Sequence, residues 1–472
     1  MGEREAGSSS SLAGGGETPL HSIVVQKEND ANTAVPLSKN EKKWLESFVN
    51  LSKNHHEVIR TKIERVPAML REVKDNSGCY DPLVVSIGPY HYGNTRLELM
   101  QRHKQTMALQ YVDGDLKLLE KLYQDVRRVA EAAKQCYTDQ SSVGKFNNED
   151  FSQIMFLDAC FILRFIYCIA KDEPKALQIK NNMIALVKRD LFLLENQIPF
   201  QVVNKLSFKF GDETEKKEML NKFVTNIRSL PPKSDKKNFP FNLYFWKKEE
   251  EQHAKEKEGT SDDEPAHLLD LVRSDLFVKS VWSQKPTNWF SCRSVKELKE
   301  VGIHFRSSKT NKFTDVAFQP GYLAKLELPP IYIDDSTKSM LLNVVAYECS
   351  PNGPDDFGVS SYICLMDSLI DHEEDVKELR SKGIFLNFLG SDQQVADLFN
   401  EIADNLVSHP HAYAAVKDGI EKHYKNRLKI WLAEWLHTHF SSPWTVLAFI
   451  GAVLALVLTV IQTLELFKPS KS

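Results

Sequence analysis

Cysteine is scarce in this 472-residue chain: seven residues, at 79, 136, 160, 168, 292, 349 and 364, and never a CxxC pair. The odd number and wide scatter exclude a small secreted disulfide scaffold and point to reduced thiols in a cytosolic compartment. Cys160, Cys168 and Cys364 lie inside apolar runs and read as small buried hydrophobes. An excess of one charge is also missing, with 60 Lys+Arg against 64 Asp+Glu and a net charge of -4, so nucleic acid is not expected as a partner. Gly and Pro stand at 20 each, which excludes a collagenous chain, and 42% hydrophobic residues are too few for a multi-span membrane protein. The polar, Gly/Ser-rich stretch Met1–Glu17 lacks a secretory signal, and Ala6 stands where a myristoylation motif wants Ser or Thr. Phosphate-loop, dinucleotide, nucleophile-elbow and HExxH patterns are all missing, so no cofactor, metal or catalytic residue is assigned.

What the averages hide is at the C-terminus. Trp444–Ile461 reads WTVLAFIGAVLALVLTVI, 18 residues without a charge. As a helix it would span about 27 Å, near the thinner end of bilayer hydrocarbon. Pro443 suits a helix start and Trp444 a headgroup boundary. The pattern predicts a transmembrane helix over 444–464 carrying Trp444, Phe449, Leu454, Leu458 and Ile461, with a short tail at 465–472. Before it, 424–440 reads as an amphipathic juxtamembrane helix. Its basic residues Lys425, Arg427 and Lys429 and its aromatics Trp431 and Trp435 would meet the membrane interface. The expectation is a single-pass, tail-anchored protein of the plasma membrane or endoplasmic reticulum, its large N-terminal part cytosolic, with lipid and an unidentified protein as partners. Phe151–Ala170 is long enough to span too, but it carries Asp158 and Arg164. Each would cost roughly 2.5–3.5 kcal/mol at a membrane centre. A core helix is the better reading.

The rest reads as mainly α. Residues 1–38 are low in aromatics and predicted to be disordered, and 39–430 to form one large helical domain. Helices are expected after Asn40 and over Leu97–Cys136, Phe151–Ala170 and Lys180–Glu195. Within the second, Leu116, Leu119, Tyr123, Val126 and Ala130 form the inward stripe. Pro67, Pro82 and Pro89 make 62–93 irregular, with Leu83–Ile87 a short extended piece. Residues 211–265 read as a charged insertion, densest in KKEEEQHAKEKE at 247–258. Alternation in Tyr322–Leu328 marks a strand, and Gly302–Arg306 and Phe313–Phe318 read as neighbours of one another in a small antiparallel element around 302–333.

Two tight His/acid clusters, His55-His56-Glu57 and His372 to Asp375, place neighbouring side chains about 100° apart on a helix and are not expected to converge on a metal. Glu195-Asn196-Gln197, between apolar Leu191–Leu194 and Ile198–Phe200, suits the capping of backbone at a helix end. The competing view is an enzyme with an unrecognised site, for which His91, Glu195 and Asp158 are the first suspects.

Several segments resemble a plant-specific family called domain of unknown function 247. They are VPAMLR (66–71), YDPLVVSIGPYHYG (80–93), DLFLLENQIPF (190–200), HLLDLVR (267–273), KELKEVGIHF (296–305), NVVAYE (343–348) and the terminal stretch 443–463. The resemblance implies a mostly helical domain followed by a membrane helix, with no known activity and no cofactor. It also implies, for one branch, self-recognition between pollen and stigma. Two positions depart from the family pattern: Arg164 stands where an acidic residue is usual, and Tyr92 where a second histidine is common.

Overall fold

The computed structural model describes residues 38–40, 42–43, 63–228, 264–278, 293–321, 323–425 and 443–466. The chain divides into a unit of residues 1–58 and a larger one of 59–472. The disordered segment expected over 1–38 therefore lies almost wholly outside the described residues, and the helix expected after Asn40 is described only at 39–40 and 42–43.

The larger unit is mainly helical, built around one apolar helix. In chain order the first helices are α1 (Ala68–Arg71), α2 (Glu98–Tyr111), α3 (Leu116–Gln135), α4 (Gln140–Gly144) and α5 (Asn148–Ala170). Asn147 starts α5 by accepting the Asp150 N–H at 2.8 Å. From Phe151 onward α5 is apolar on nearly all sides, and it is buried against α2 and α3 and against α7 (Phe200–Leu206) and α8 (Glu213–Arg228). It is long and apolar enough to cross a membrane, yet 72% of its most apolar stretch is inside the body, so it is the core helix expected.

Four expectations change. The single helix over Leu97–Cys136 is two, because Asp113 (φ 53°) and Gly114 (φ 81°) turn the chain in the left-handed region and Asp115 caps α3, accepting from the Lys117 and Leu118 N–H groups. The inward stripe of α3 shifts with it: Leu122, Val126, Ala130 and Ala133 are buried, whereas Leu116 is 68% exposed. The charged insertion does not begin at 211, since α8 puts Met219, Leu220, Phe223 and Val224 into the core; residues 229–263 are outside the described ones. The helix expected to reach Glu195 ends at Asp190, as α6 (Asn181–Asp190).

The second half carries α9 (Leu268–Leu276), α10 (Val295–Glu300), α11 (Thr337–Glu348), α12 (Gly358–Asp367), α13 (Glu373–Ser381), α14 (Asp392–Ala403), α15 (Ala414–Tyr424) and α16 (Pro443–Leu466). Its strands are β1 (Ile303–Ser307), β2 (Ala317–Gln319), β3 (Ala324–Leu328), β4 (Ile331–Ile333) and β5 (Phe385–Asn387). The expected antiparallel element is in fact mixed. β3 lies in the middle, parallel to β1 (Ile303 opposite Ala324) and antiparallel to β2 (Ala317 opposite Glu327), so 302–306 and 313–318 are not neighbours. Alternation of buried Ala324, Leu326 and Leu328 along β3 follows the period-two pattern. A second, parallel pair joins β4 to β5, bringing a strand from 385–387 that short length concealed.

In α16, every side chain described from Leu447 to Val460 is exposed, including Phe449, Leu454 and Leu458 at 50%, 57% and 58%. Trp444 and Ile461 belong to the same helix. Lys425 closes α15 and holds Glu421 at 3.1 Å; Arg427, Lys429, Trp431 and Trp435, and with them most of the 424–440 helix, lie outside the described residues.

The assignment of α8 to the core is tested by Phe223→Ala. Phe223 is fully buried and meets Phe165 and Phe192 at ring-centroid distances of 6.2 Å. Its truncation should cost about 3–5 kcal/mol. Chemical denaturation reads the loss directly; a change below about 1 kcal/mol would return this helix to the surface insertion.

Candidate functional site

The polar residues of the first half gather around one extended segment, 80–91. It crosses the interior without a sheet partner, so its backbone groups need side-chain partners instead. Asp190, at the end of α6, accepts the N–H groups of Leu83 (2.9 Å), Val84 (2.7 Å) and Val85 (3.1 Å). Asn196 accepts from the Ile87 N–H at 2.6 Å and donates to the Val85 carbonyl at 3.1 Å, acting as a substitute strand. Asp158 of α5 accepts the Gly88 N–H at 2.7 Å, and Lys104 of α2 pairs with Asp158 while donating to the Ser86 carbonyl.

These groups are ionisable but wholly enclosed. Lys104, Asp158 and Asp190 are each 0% exposed. Burial lowers the Lys104 pKa and raises that of Asp158, while their mutual attraction opposes both shifts. Burial likewise raises the Asp190 pKa, against the three N–H groups that favour its carboxylate.

Just past α6 the side chains of the 191–197 turn take up the helix's last carbonyl and those of the turn itself. Asn196 donates to the Asp190 carbonyl at 2.8 Å, and Gln197 donates to those of Leu191 and Leu193 at 2.8 Å each. Gln197 also accepts the Leu269 N–H of α9 at 3.1 Å, and its carbonyl receives the Tyr137 hydroxyl at 3.0 Å. Gly88 packs so closely on this turn that a Cβ would stand 2.5 Å from the Gln197 carbonyl oxygen, and its φ is +73°. No side chain fits there.

Glu195 faces the other way. Its carboxylate meets Arg65 (2.7 Å), Arg71 (3.0 Å) and the Val66 N–H (2.9 Å), with His91 Nε2 at 3.8 Å. Arg65 lies over the Tyr90 ring at 4.0 Å and reaches Asp139 at 3.1 Å. Burial lowers the His91 pKa, partly offset by Glu195, which favours the neutral imidazole.

Two of the three suspected catalytic residues, His91 and Glu195, are thus brought near one another, while Asp158 is committed to Lys104 and Gly88. None of the three lines the small apolar cavity of about 10 Å³ beside Asn196 and Gln197, nor the open depression beside Arg164. Glu195 is itself engaged by two guanidinium groups and a backbone N–H. The expected metal-poor His372 cluster proves to be a helix start: Asp375 accepts the N–H groups of Asp371 and Lys296 at 3.1 and 2.8 Å. His55 and its neighbours fall outside the described residues. What the sequence did not single out was Lys104, although its place between Met100 and Met107 on the apolar stripe of α2 was a signal.

Two measurements test this scaffold. Asp190→Ala leaves the N–H groups of Leu83, Val84 and Val85 without their acceptor, the last of them buried, and should cost about 3 kcal/mol in chemical denaturation; a neutral result would mean that water replaces the carboxylate freely. The second concerns His267, fully buried, whose Nδ1 accepts the Asp270 N–H at 3.2 Å. Burial pushes its pKa down to about 4. The unfolded chain, with an ordinary His near 6.5, takes up the proton first, so stability is complete above about pH 6.5 and declines toward pH 4. That contribution amounts to about 3 kcal/mol. Unfolding free energies measured at pH 7 and 4.5 should converge by a large part of that amount in His267→Asn; parallel pH profiles for the two proteins would refute the assignment.

UPF0481 protein At3g47200 of Arabidopsis thaliana is 28% identical over 441 residues, covering 85% of each chain. Putative UPF0481 protein At3g02645, also of Arabidopsis thaliana, is 25% identical, covering 88% of this chain and 92% of its own. No solved structure matches. The family described as plant protein of unknown function, DUF247, matches residues 63–458, which include both halves of the core and the scaffold around 80–91, and the chain belongs to it.

Proposed function

We propose that this is a tail-anchored membrane protein that presents a rigid helical body in the cytosol for recognition by another protein, and that it is not an enzyme. The observation that carries this reading is α16: 24 residues of helix whose described side chains from Leu447 to Val460 are apolar or small, apart from Thr459, and exposed. The Thr459 hydroxyl returns to the Ala455 carbonyl at 2.8 Å, as a polar group must where water is absent. At 1.5 Å per residue a helix of this length reaches about 36 Å, enough for the hydrocarbon core with some tilt. The body supplies the second half of the argument. Its buried ionisable groups are taken up by its own backbone and by each other, so its function is assigned to its surface. A role in self-recognition, as the family resemblance implies for one branch, is of this kind.

Deleting residues 442–472 should move the protein from membranes to the soluble fraction, read by fractionation after an alkaline wash. Retention of the truncated chain on washed membranes would sink the anchor. For the recognition role, affinity purification of the full-length protein from native membranes should return a reproducible partner; recovery of bulk membrane neighbours alone would count against it.

A further inference from the structure

The polar residues of α16 stand at its two ends, and they bound how much of it hydrocarbon can accept. Of its 24 residues, Trp444–Ile461 carry no charge, and Gln462, Thr463 and Glu465 follow at once. Ser441 and Ser442 precede it, and Pro443 opens it. The whole helix reaches about 36 Å, but the run that enters hydrocarbon without taking an amide or a carboxylate along is only about 27 Å.

Bilayers differ by a comparable margin. The hydrocarbon of the endoplasmic reticulum is about 27 Å thick, and that of a plasma membrane rich in sterol and sphingolipid about 32–33 Å. The uncharged run therefore matches the first while standing upright and falls short of the second by about 5 Å. A span that is too long relieves its mismatch by tilting. One that is too short must thin the bilayer, draw its polar flanks inward or cluster with other copies. Side-chain shape points the same way. Toward Ile461 the helix carries Val453, Leu454, Leu456, Val457, Leu458 and Val460, all branched and 45–67% exposed. With the body in the cytosol this half lies in the far leaflet, where ordered, sterol-rich chains would leave branched side chains least room.

We propose that α16 selects a thin, loosely packed bilayer, that of the early secretory membranes, over the thick plasma membrane. This selection rests on α16 being the anchor and names the lipid surface that the anchor fits.

The test uses the full-length chain, labelled with donor or acceptor dye and reconstituted at equal density in phosphatidylcholine vesicles of shorter or longer acyl chains. Copies should stay dispersed in the thin bilayer and cluster in the thick one, raising energy transfer about twofold or more. Four leucines inserted after Leu458 lengthen the uncharged run to about 33 Å, and this variant should stay dispersed in both. In plant cells, wild type should follow endoplasmic-reticulum markers through an alkaline wash, and the lengthened variant should shift toward plasma-membrane markers. Equal transfer in the two bilayers, or recovery of wild type with the plasma membrane, overturns the thickness match and leaves the anchor standing. A chain that neither floats with vesicles nor sediments with any washed membrane sinks the anchor itself, and the match with it.

Discussion

The fold depends on how a segment with no regular structure is kept inside it. Residues 85–90 are buried while Asp81 and Leu83 reach the surface, and the amides of Leu83, Val84, Val85, Ile87 and Gly88 all turn onto buried side chains. Each unpaired amide there would cost on the order of a kcal/mol or more. The chain meets this with three buried side chains from two separate helix regions, Asp190, Asn196 and Asp158. Asp158 could not stay ionised alone at 0% exposure, so Lys104 reaches it from α2. A buried pair of this type adds little net stability over an apolar pair, but it tolerates few alternative packings, since any other would leave a charge bare. The geometry of the turn at 191–197 and the necessity for glycine at 88 both follow from that demand.

The same solution recurs in the second half. Glu348, 1% exposed at the end of α11, accepts the N–H groups of Val359 and Ser360 at the start of α12 and is held by Arg273 of α9 at 3.0 Å. Here the helix N-terminus contributes its own partial positive charge. Asn343 joins the two systems: it accepts the Leu194 N–H at 2.8 Å and donates to the Cys79 carbonyl at 3.0 Å. The halves on either side of residues 229–263 are therefore tied by polar bonds through a shared core.

How much of this could be read from the sequence differs by residue for physical reasons. Helix α5 was legible because an apolar run with two embedded charges has few soluble explanations other than a core helix. Strand β3 was legible because alternation is local. Its neighbours were not, because strand order depends on contacts between residues far apart, and a three-residue strand such as β5 carries too few positions to show a period. The break between α2 and α3 was written in the Asp-Gly-Asp run at 113–115, a turn signal overridden by strong helical period on both sides. Glu195 to Gln197 were recognised as backbone partners from their apolar flanks, but which backbone they serve, more than a hundred residues earlier for Asn196, is set by tertiary packing. Asp190 and Lys104 look like ordinary members of charged helices until the segment they grip is in place.

That division bears on function. Residue types that often perform chemistry, a buried lysine, two buried aspartates and a carboxylate beside a histidine, are present, and each is occupied in holding backbone or another charge. A catalytic group needs a free lone pair or proton aimed at space where a substrate can sit. Glu195 has arginines where a substrate would be, and Asp158 has Lys104. Rigidity obtained this way suits a surface that must keep its shape while another molecule reads it, since a preorganised partner loses less entropy on binding. The apolar α16 then contrasts with a body that encloses even its charges: the exposed apolar area from Leu447 to Val460 is far larger in extent than one solvated helix of a soluble protein ordinarily leaves uncovered.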